Sequence, residues 1–287
     1  MQSPEARRAI LSLGTRLGPD VIDAVAKVYD AEQRTLVEQQ PATAIDIAYG
    51  HHERHKLDIY CPNNAKGNSL PVVLFVHGGG FLKGDKGSVQ HWHNTNVGRL
   101  CAQAGFVGVV INYRLAPANS WPAGGEDVAA AIGWIKNHIG EYSGDPNRLI
   151  VMGTSAGAVH LCTYLQLHPE TSDIRGLVLL SGLYGFTPLD ERDTYYYGAQ
   201  ELYKERRPLA AISNTALPLL VCCAEFDPAR FQNEFIGLMQ ARLSIHSVIP
   251  RAAILSGHNH YSMAMHLGSS DRRLADEVIS FVTETCS

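Results

Sequence analysis

Four stretches of this chain carry residues whose types and spacing could do chemistry. They are Gly153-Thr154-Ser155-Ala156-Gly157, His77-Gly78-Gly79-Gly80-Phe81, Ala224-Glu225-Phe226-Asp227-Pro228 and Gly257-His258-Asn259-His260-Tyr261. A serine hydroxyl attacks a carbonyl only if a base takes its proton, and the oxyanion that forms needs donors aimed at it. A serine, an imidazole, a carboxylate to orient it and bare backbone N–H groups are therefore the parts of an acyl-transfer site. In the first stretch, glycines two before and two after Ser155 suit a sharp strand-to-helix turn, where side chains would collide with the strained central residue. Such a turn projects the hydroxyl from a sheet edge and aims the positive end of the following helix at any anion formed there. The five-residue pattern alone also occurs as a plain Gly/Ser turn. The apolar run Leu149 to Met152 before it reads as a buried strand, and with the other stretches it carries the catalytic reading.

The oxyanion donors are assigned to the N–H groups of Gly79, Gly80 and Ala156. Three glycines directly after a strand leave backbone that can approach a ligand closely. Asp227 follows a strand ending at Ala224 and could hold an imidazole in its working tautomer, with Glu225 as its rival. The base is His258 or His260; residues two apart share a side in extended chain, so geometry alone does not choose. Phe81 and Tyr184, at strand ends, and Trp92, with His91 and His93 after the glycine loop, are candidates to line the acyl pocket.

The elements that must position these residues follow from periodicity. Residues 4–37 show helical spacing broken at Gly18-Pro19-Asp20, which predicts two amphipathic helices. Alternation in 43–62 predicts two antiparallel strands joined around Gly50, and 63–70 a polar loop. Continuous apolar runs at 71–76, 106–113, 149–152, 176–180, 217–224 and 252–255 predict strands, most of them buried on both faces. Helical patterns fall within 85–103, after a loop, and at 126–138, after Ser155, at 233–243 and at 271–283. Alternating strands and helices argue for an α/β architecture, a mostly parallel sheet covered on both sides. Residues 183–214, with Tyr195-Tyr196-Tyr197, interrupt that rhythm and are read as a cap over the carboxyl edge, with the whole chain as one domain.

The 287 residues carry a formal net charge of −4, with 45% hydrophobic and 18% charged residues, which is ordinary for a globular protein. That balance gives no reason to expect nucleic acid or an anionic membrane as partner; a small weakly polar molecule fits better. Neither a signal peptide nor a membrane span is readable, so the cytoplasm is the expected location. Six cysteines without a Cys-x-x-Cys are expected to be reduced, with Cys222 and Cys223 on opposite faces of a strand. His51 and His55 lie in turn and strand, where a four-residue spacing does not bring ligands together, so no metal is expected. His160 is expected to be a core histidine, and Asp127 to pin the segment holding Arg114. Oligomeric state is not legible, and a homo-oligomer is compatible with the chain.

His77-Gly-Gly-Gly-Phe, Tyr113-Arg-Leu-Ala-Pro with Trp121-Pro-Ala and Glu126-Asp127, Gly153-Thr-Ser-Ala-Gly and Glu225-Phe-Asp-Pro together resemble the hormone-sensitive-lipase-like esterases of the α/β-hydrolase superfamily. The order Ser, Asp, His along the chain is also that of α/β hydrolases. The resemblance covers roughly residues 55–265. It implies a mostly parallel eight-stranded sheet, carboxylester hydrolysis without a cofactor, and Ser155, Asp227 and His260 as the triad. His260 is chosen because the family places the base three residues after a glycine. The resemblance also assigns the N-terminal helices, about residues 1–40, to the cap. Two departures stand out: Ala229-Arg230-Phe231-Gln232 lacks the family's acidic residue after the triad aspartate, and Ser155-Ala-Gly-Ala-Val-His is similar to the arylformamidase and feruloyl-esterase-like branch. The expected function is a serine carboxylesterase; its rivals are an arylformamidase or amidase with the same triad, and a catalytically silent binding protein on this fold.

Overall fold

The computed structural model describes residues 1–63, 65, 69–88 and 91–287. Residues 64 and 66–68 of the polar loop expected at 63–70, and residues 89–90 before the third helix, lie outside the described residues. Helices α1 (Pro4–Leu13) and α2 (Pro19–Gln39) come first, each with proline in its opening turn. The break between them is at Gly18, as its Gly-Pro signal predicts. Strands β1 (Ala44–Ala48) and β2 (Lys56–Tyr60) form the antiparallel start. Then follow β3 (Leu70–Val76), α3 (Thr95–Gln103), β4 (Val107–Ile111), α4 (Ala123–His138), β5 (Gly144–Thr154), α5 (Ala156–Leu167) and β6 (Gly176–Leu180). The excursion at 183–214 holds only short pieces, among them α6 (Thr194–Tyr197), α7 (Tyr203–Arg206) and α8 (Leu209–Asn214). The chain closes with β7 (Leu219–Phe226), α9 (Ala229–His246), β8 (Arg251–Asn259), α10 (Ser262–Met265) and α11 (Arg273–Thr285).

The eight strands form one sheet in the order β1-β2-β4-β3-β5-β6-β7-β8, parallel from β4 to β8. Alternate residues of the central strands enter two different apolar clusters. Val72, Leu74, Val151, Leu179 and Val221 face α4, α5 and α9, while Val73, Phe75, Ile150, Val178 and Leu220 face α3 and α11. Burial on both faces is why these strands are continuous apolar runs rather than alternating ones. Cys222 and Cys223 split between the faces as expected: Cys222 joins the α3/α11 cluster, and Cys223 points its thiol toward Asp227.

Two strands are longer than the apolar runs that mark them. β5 begins at Gly144, where Leu70 pairs with it across a register shift, and residues such as Asn147 there are exposed and polar. β8 runs on to Asn259; it is an edge strand paired only to β7, and beyond Leu255 its residues Ser-Gly-His-Asn give no apolar run to read. Likewise α4 starts at Ala123 rather than Glu126, because Gly124-Gly125 are helical where they press against α5.

The strand order reverses around β3. The chain leaves β3 for β4 on one side and reaches β5 on the other, so the carboxyl ends of β3 and β5 border the crevice where ligands bind in open α/β sheets. The glycine run follows β3 and Ser155 follows β5.

Candidate active site

Ser155 is the residue between β5 and α5, with φ 53° and ψ −121°, a conformation that L-residues with side chains rarely adopt. The flanking glycines permit it. A Cβ on Gly153 would come 2.7 Å from the backbone of Gly157 and Ala158, and one on Gly157 would come 2.1 Å from the carbonyl oxygen of Val76. The turn is also anchored to the sheet, because the Ser155 N–H donates to the Leu180 carbonyl at 2.8 Å.

The Ser155 hydroxyl faces His260, with Oγ to Nε2 at 3.0 Å, and His260 Nδ1 meets Asp227 Oδ1 at 2.7 Å. Asp227 is fully buried, and its other oxygen accepts from Ser181 Oγ at 2.6 Å, Ala224 N–H at 2.8 Å and the Cys223 thiol at 3.3 Å. Burial pushes its pKa up, but the contacts from His260, Ser181 and Ala224 outweigh that and hold it below the ordinary aspartate value. The carboxylate is thus ionised, and it fixes the imidazole with Nδ1 protonated and Nε2 free to accept from Ser155. Phe231 backs the imidazole at a ring distance of 4.3 Å.

The rivals are resolved by what they touch. Glu225 accepts from Ser256 Oγ and Gly257 N–H instead of orienting an imidazole. His258 is buried, bonded through Nδ1 to Ser262 Oγ at 3.0 Å and through Nε2 to Asp271 at 3.1 Å.

Beside Ser155, the N–H groups of Gly79, Gly80 and Ala156 form no hydrogen bond among the described residues. Gly79 and Gly80 have φ of 136° and 58°, and a Cβ on Gly79 would lie 1.8 Å from the Lys83 carbonyl oxygen. Only glycine fits that fold of the loop. Its base is fixed by His77, whose ring stacks on Tyr113 at 4.3 Å and contacts the Gly78 carbonyl through Nδ1 at 2.6 Å. Burial lowers the His77 pKa to about 4, so the neutral ring donates through Nδ1. The Tyr113 hydroxyl donates to the His77 carbonyl at 3.0 Å. The next residue, Arg114, is held as expected: Asp127 accepts from its N–H at 2.6 Å and from its Nε at 2.7 Å.

These groups open on a cavity of about 970 Å³ lined by Ser155, His260, Gly79, Gly80 and Ala156. Leu17, Gly18, Pro19 and Ile22 from the junction of the N-terminal helices line it too, as do Leu183, Asp190, Arg192 and Asp193. The Gly18 N–H donates to the hydroxyl of Tyr261, the residue after His260, at 3.0 Å.

Of the expected pocket residues, Phe81, His91 and His93 line this cavity. Trp92 and Tyr184 do not. Trp92 turns away to pack with Ile10, Val21, Val25 and Tyr29 of the N-terminal helices, its indole N–H donating to Asp30 at 3.0 Å. Tyr184 is buried in the core beneath the sheet, in the cluster containing Leu238 and Cys162. Of the three tyrosines Tyr195–Tyr197, Tyr196 stacks on Phe81 at 4.3 Å, Tyr197 is buried, and Tyr195 is exposed. His160 is a core histidine, its ring edge-on to Tyr113 and Phe81, and burial drops its pKa to about 3. Ser181, the strongest extra contact to Asp227, was not singled out; its only sequence signal is its place directly after a buried strand.

All six cysteines are free. Among the described residues no cluster of three His, Cys, Asp or Glu could hold a metal ion, and His55 instead contacts Asp127 at 3.0 Å. No helix among them is long and apolar enough to cross a membrane.

Residues 57–179 match the BD-FAE family. A probable carboxylic ester hydrolase, LipM, of Mycobacterium tuberculosis is 35% identical over 159 residues, 51% of this chain and 36% of that protein. An isoprenylcysteine alpha-carbonyl methylesterase of Arabidopsis thaliana is 34% identical over 130 residues, 45% of this chain and 29% of that one. The chain spans between a quarter and just over half of the length of such relatives. A hyperthermophilic esterase from the archaeon Pyrobaculum calidifontis superposes with a TM-score of 0.72 over 98% of both chains at 21% identity. The carboxylesterase EstE1, from a metagenomic library, gives 0.67 over 93% of this chain and 98% of that one at 22% identity. With its serine turn, glycine loop, aspartate and histidine at the carboxyl ends of the strands where the motif order requires them, this chain has the α/β-hydrolase fold and is similar to the hormone-sensitive-lipase-like esterases.

Proposed function

We propose that this protein is a serine carboxylesterase acting on small carboxylic esters through an acyl-enzyme. One observation carries the reading: the relay Ser155–His260–Asp227 ends at a hydroxyl that faces a cavity beside three unpaired N–H groups. In the first half-reaction His260 Nε2 takes the Ser155 proton as Oγ bonds to the ester carbonyl carbon. The carbonyl oxygen becomes an oxyanion stabilised by Gly79, Gly80 and Ala156 N–H. Asp227 stabilises the imidazolium without taking its proton, and His260 passes that proton to the departing alcohol as the C–O bond breaks. In the second half His260 deprotonates a water that attacks the acyl carbon, and returns the proton to Ser155. The names of the relatives, ester hydrolases and methylesterases, support esters over formamides.

The N-terminal helices and residues 183–214 are read as the cap that sets substrate size, because both contribute to the cavity wall. Six unpaired cysteines support a cytoplasmic setting. The test is a fluorophosphonate probe followed by mass mapping, beside 4-nitrophenyl esters of two to twelve carbons and an N-formyl aryl amine. A single adduct on Ser155 and turnover of short esters are expected. Absence of an adduct, or turnover confined to the formamide, would overturn the assignment.

A further inference from the structure

We infer that Arg192 is a specificity residue for substrates carrying a carboxylate besides the ester, a reading that rests on the esterase function proposed above. Arg192 lies in the turn Glu191–Asp193 of the 183–214 excursion and lines the same cavity as Ser155 and His260. Its guanidinium lies against the glycine loop: the place a Cβ would take on Gly80 is 2.7 Å from Nη2 and 3.1 Å from Cζ. A cation is therefore held beside one of the three oxyanion donors, at a position left open because residue 80 is glycine.

That cation is solvent-exposed, and although the Asp193 carboxylate feels its charge, no acid among the described residues pairs with it directly. Among the described residues its guanidinium makes no ion pair or hydrogen bond, and the acids lining the cavity are otherwise engaged. Asp193 pairs with Arg230 at 2.7 Å. Asp190 accepts from the backbone N–H of Arg192 at 3.0 Å, and Asp85 accepts from Asn112 Nδ2 at 2.8 Å and Gly87 N–H at 2.9 Å. Arg230 and Arg192 thus differ in kind: the first is neutralised by its own protein, and the second is left for a ligand. A planar guanidinium fork matches a carboxylate with two parallel N–H···O bonds, a geometry a lysine would not supply. One unpaired fork near a neutral nucleophile calls for a substrate with one negative charge a short distance from its scissile carbonyl. A half-ester of a dicarboxylic acid, or an ester whose alcohol part bears a carboxylate, meets that description.

The experiment compares kcat/KM for matched pairs at constant ionic strength in the wild type, Arg192→Gln and Arg192→Lys. Monomethyl adipate against methyl hexanoate places the charge on the acyl side; 4-acetoxybenzoate against 4-methylphenyl acetate places it on the leaving group. For one pair, Arg192→Gln should cost the charged ester about tenfold more than the neutral one, mostly through KM, the size expected of one charge-assisted contact discounted for exposure. Arg192→Lys should restore part of the difference. Equal losses on charged and neutral esters in both pairs would make Arg192 an oxyanion-stabilising group or a structural one and overturn the inference. So would no loss at all. If the wild type turns over none of the four esters, the esterase reading fails instead. Calorimetric binding of monomethyl adipate and of 4-acetoxybenzoate then still decides the inference, supporting it if Arg192→Gln abolishes binding of one of them and refuting it if affinities are unchanged or neither binds.

Discussion

Two Ser–His–Asp constellations lie side by side in this protein, built on histidines two residues apart. Ser155, His260 and Asp227 form one; Ser262, His258 and Asp271 form the other, with similar hydrogen-bond lengths. The difference is in what surrounds them. Ser155 has a strained backbone, bare N–H groups beside it and a cavity in front of it. Ser262 is fully buried in the short helix α10, and its hydroxyl already donates to the Asn259 carbonyl and accepts from the Asn259 N–H. Asp271 is further committed to Arg273 at 2.6 Å. The three side chains alone therefore do not make a nucleophile; access and an oxyanion site do. The buried set serves as a clamp that fixes the turn after β8, and thereby the position from which His260 reaches Ser155.

If that division holds, the two histidines separate activity from stability. His260→Ala should lower ester kcat by roughly 10⁴-fold or more, the scale of losing a triad member, while costing less unfolding free energy than His258→Ala, because Asp227 keeps its bonds from Ser181 and Ala224. Comparable activity in His260→Ala and wild type would erase the distinction.

Acid should act first on the buried side. Burial lowers the pKa of His77 to about 4 and of His160 and His266 to about 3, below the 6.5 of an unfolded histidine. The unfolded chain then binds protons that the native state refuses, so the stability these groups confer is full above pH 6.5 and is lost as pH falls toward 4. Each contributes roughly 1.4 kcal/mol per pH unit in that window, so unfolding free energies from urea titrations at pH 7.5 and 5.5 should differ by about 4 kcal/mol. A flat profile would show that these rings are hydrated in the native state.

His258→Ala reverses the first pattern. It should cost about 3 kcal/mol of stability by breaking a buried hydrogen-bonded pair, with a far smaller loss of turnover in the fraction that stays folded. The smallest effect is expected at Ser181→Ala, which takes one hydroxyl from Asp227 Oδ2 but leaves the Ala224 N–H. A kcat lower by about tenfold, with KM unchanged and the acid limb of the pH profile moved up, would mark Ser181 as positioning the acid. An unmoved pH profile would make its role structural.

Much of this organisation is legible in the sequence. Buried parallel strands are continuous apolar runs, and the turn that strains Ser155 needs glycines at fixed offsets, so both leave a local signature. What was not legible depends on distant partners. The place of Trp92 just after the glycine loop points to the pocket, yet its indole is claimed by Asp30 in a helix 62 residues earlier. Tyr184 follows β6 in the loop beyond Leu180, and its segment is drawn inward because Glu234 on α9 accepts from the N–H groups of Tyr184, Gly185 and Phe186. Between His258 and His260 extended-chain geometry offers no distinction; the resemblance selects His260, three residues after Gly257, and in the structure the two rings differ in facing Asp271 and Asp227.

The backbone of Ser155 carries one more implication, for how such a protein can change over time. A non-glycine residue held at φ 53° and ψ −121° costs of order 1–3 kcal/mol. Replacement of Ser155 by glycine would relieve that cost and abolish the hydroxyl in one step. Selection for thermal robustness alone, in a laboratory lineage or in a lineage that no longer needs the reaction, therefore runs downhill toward an inert protein at this one codon. On the proposed esterase reading, Ser155 is kept only while its chemistry is being used.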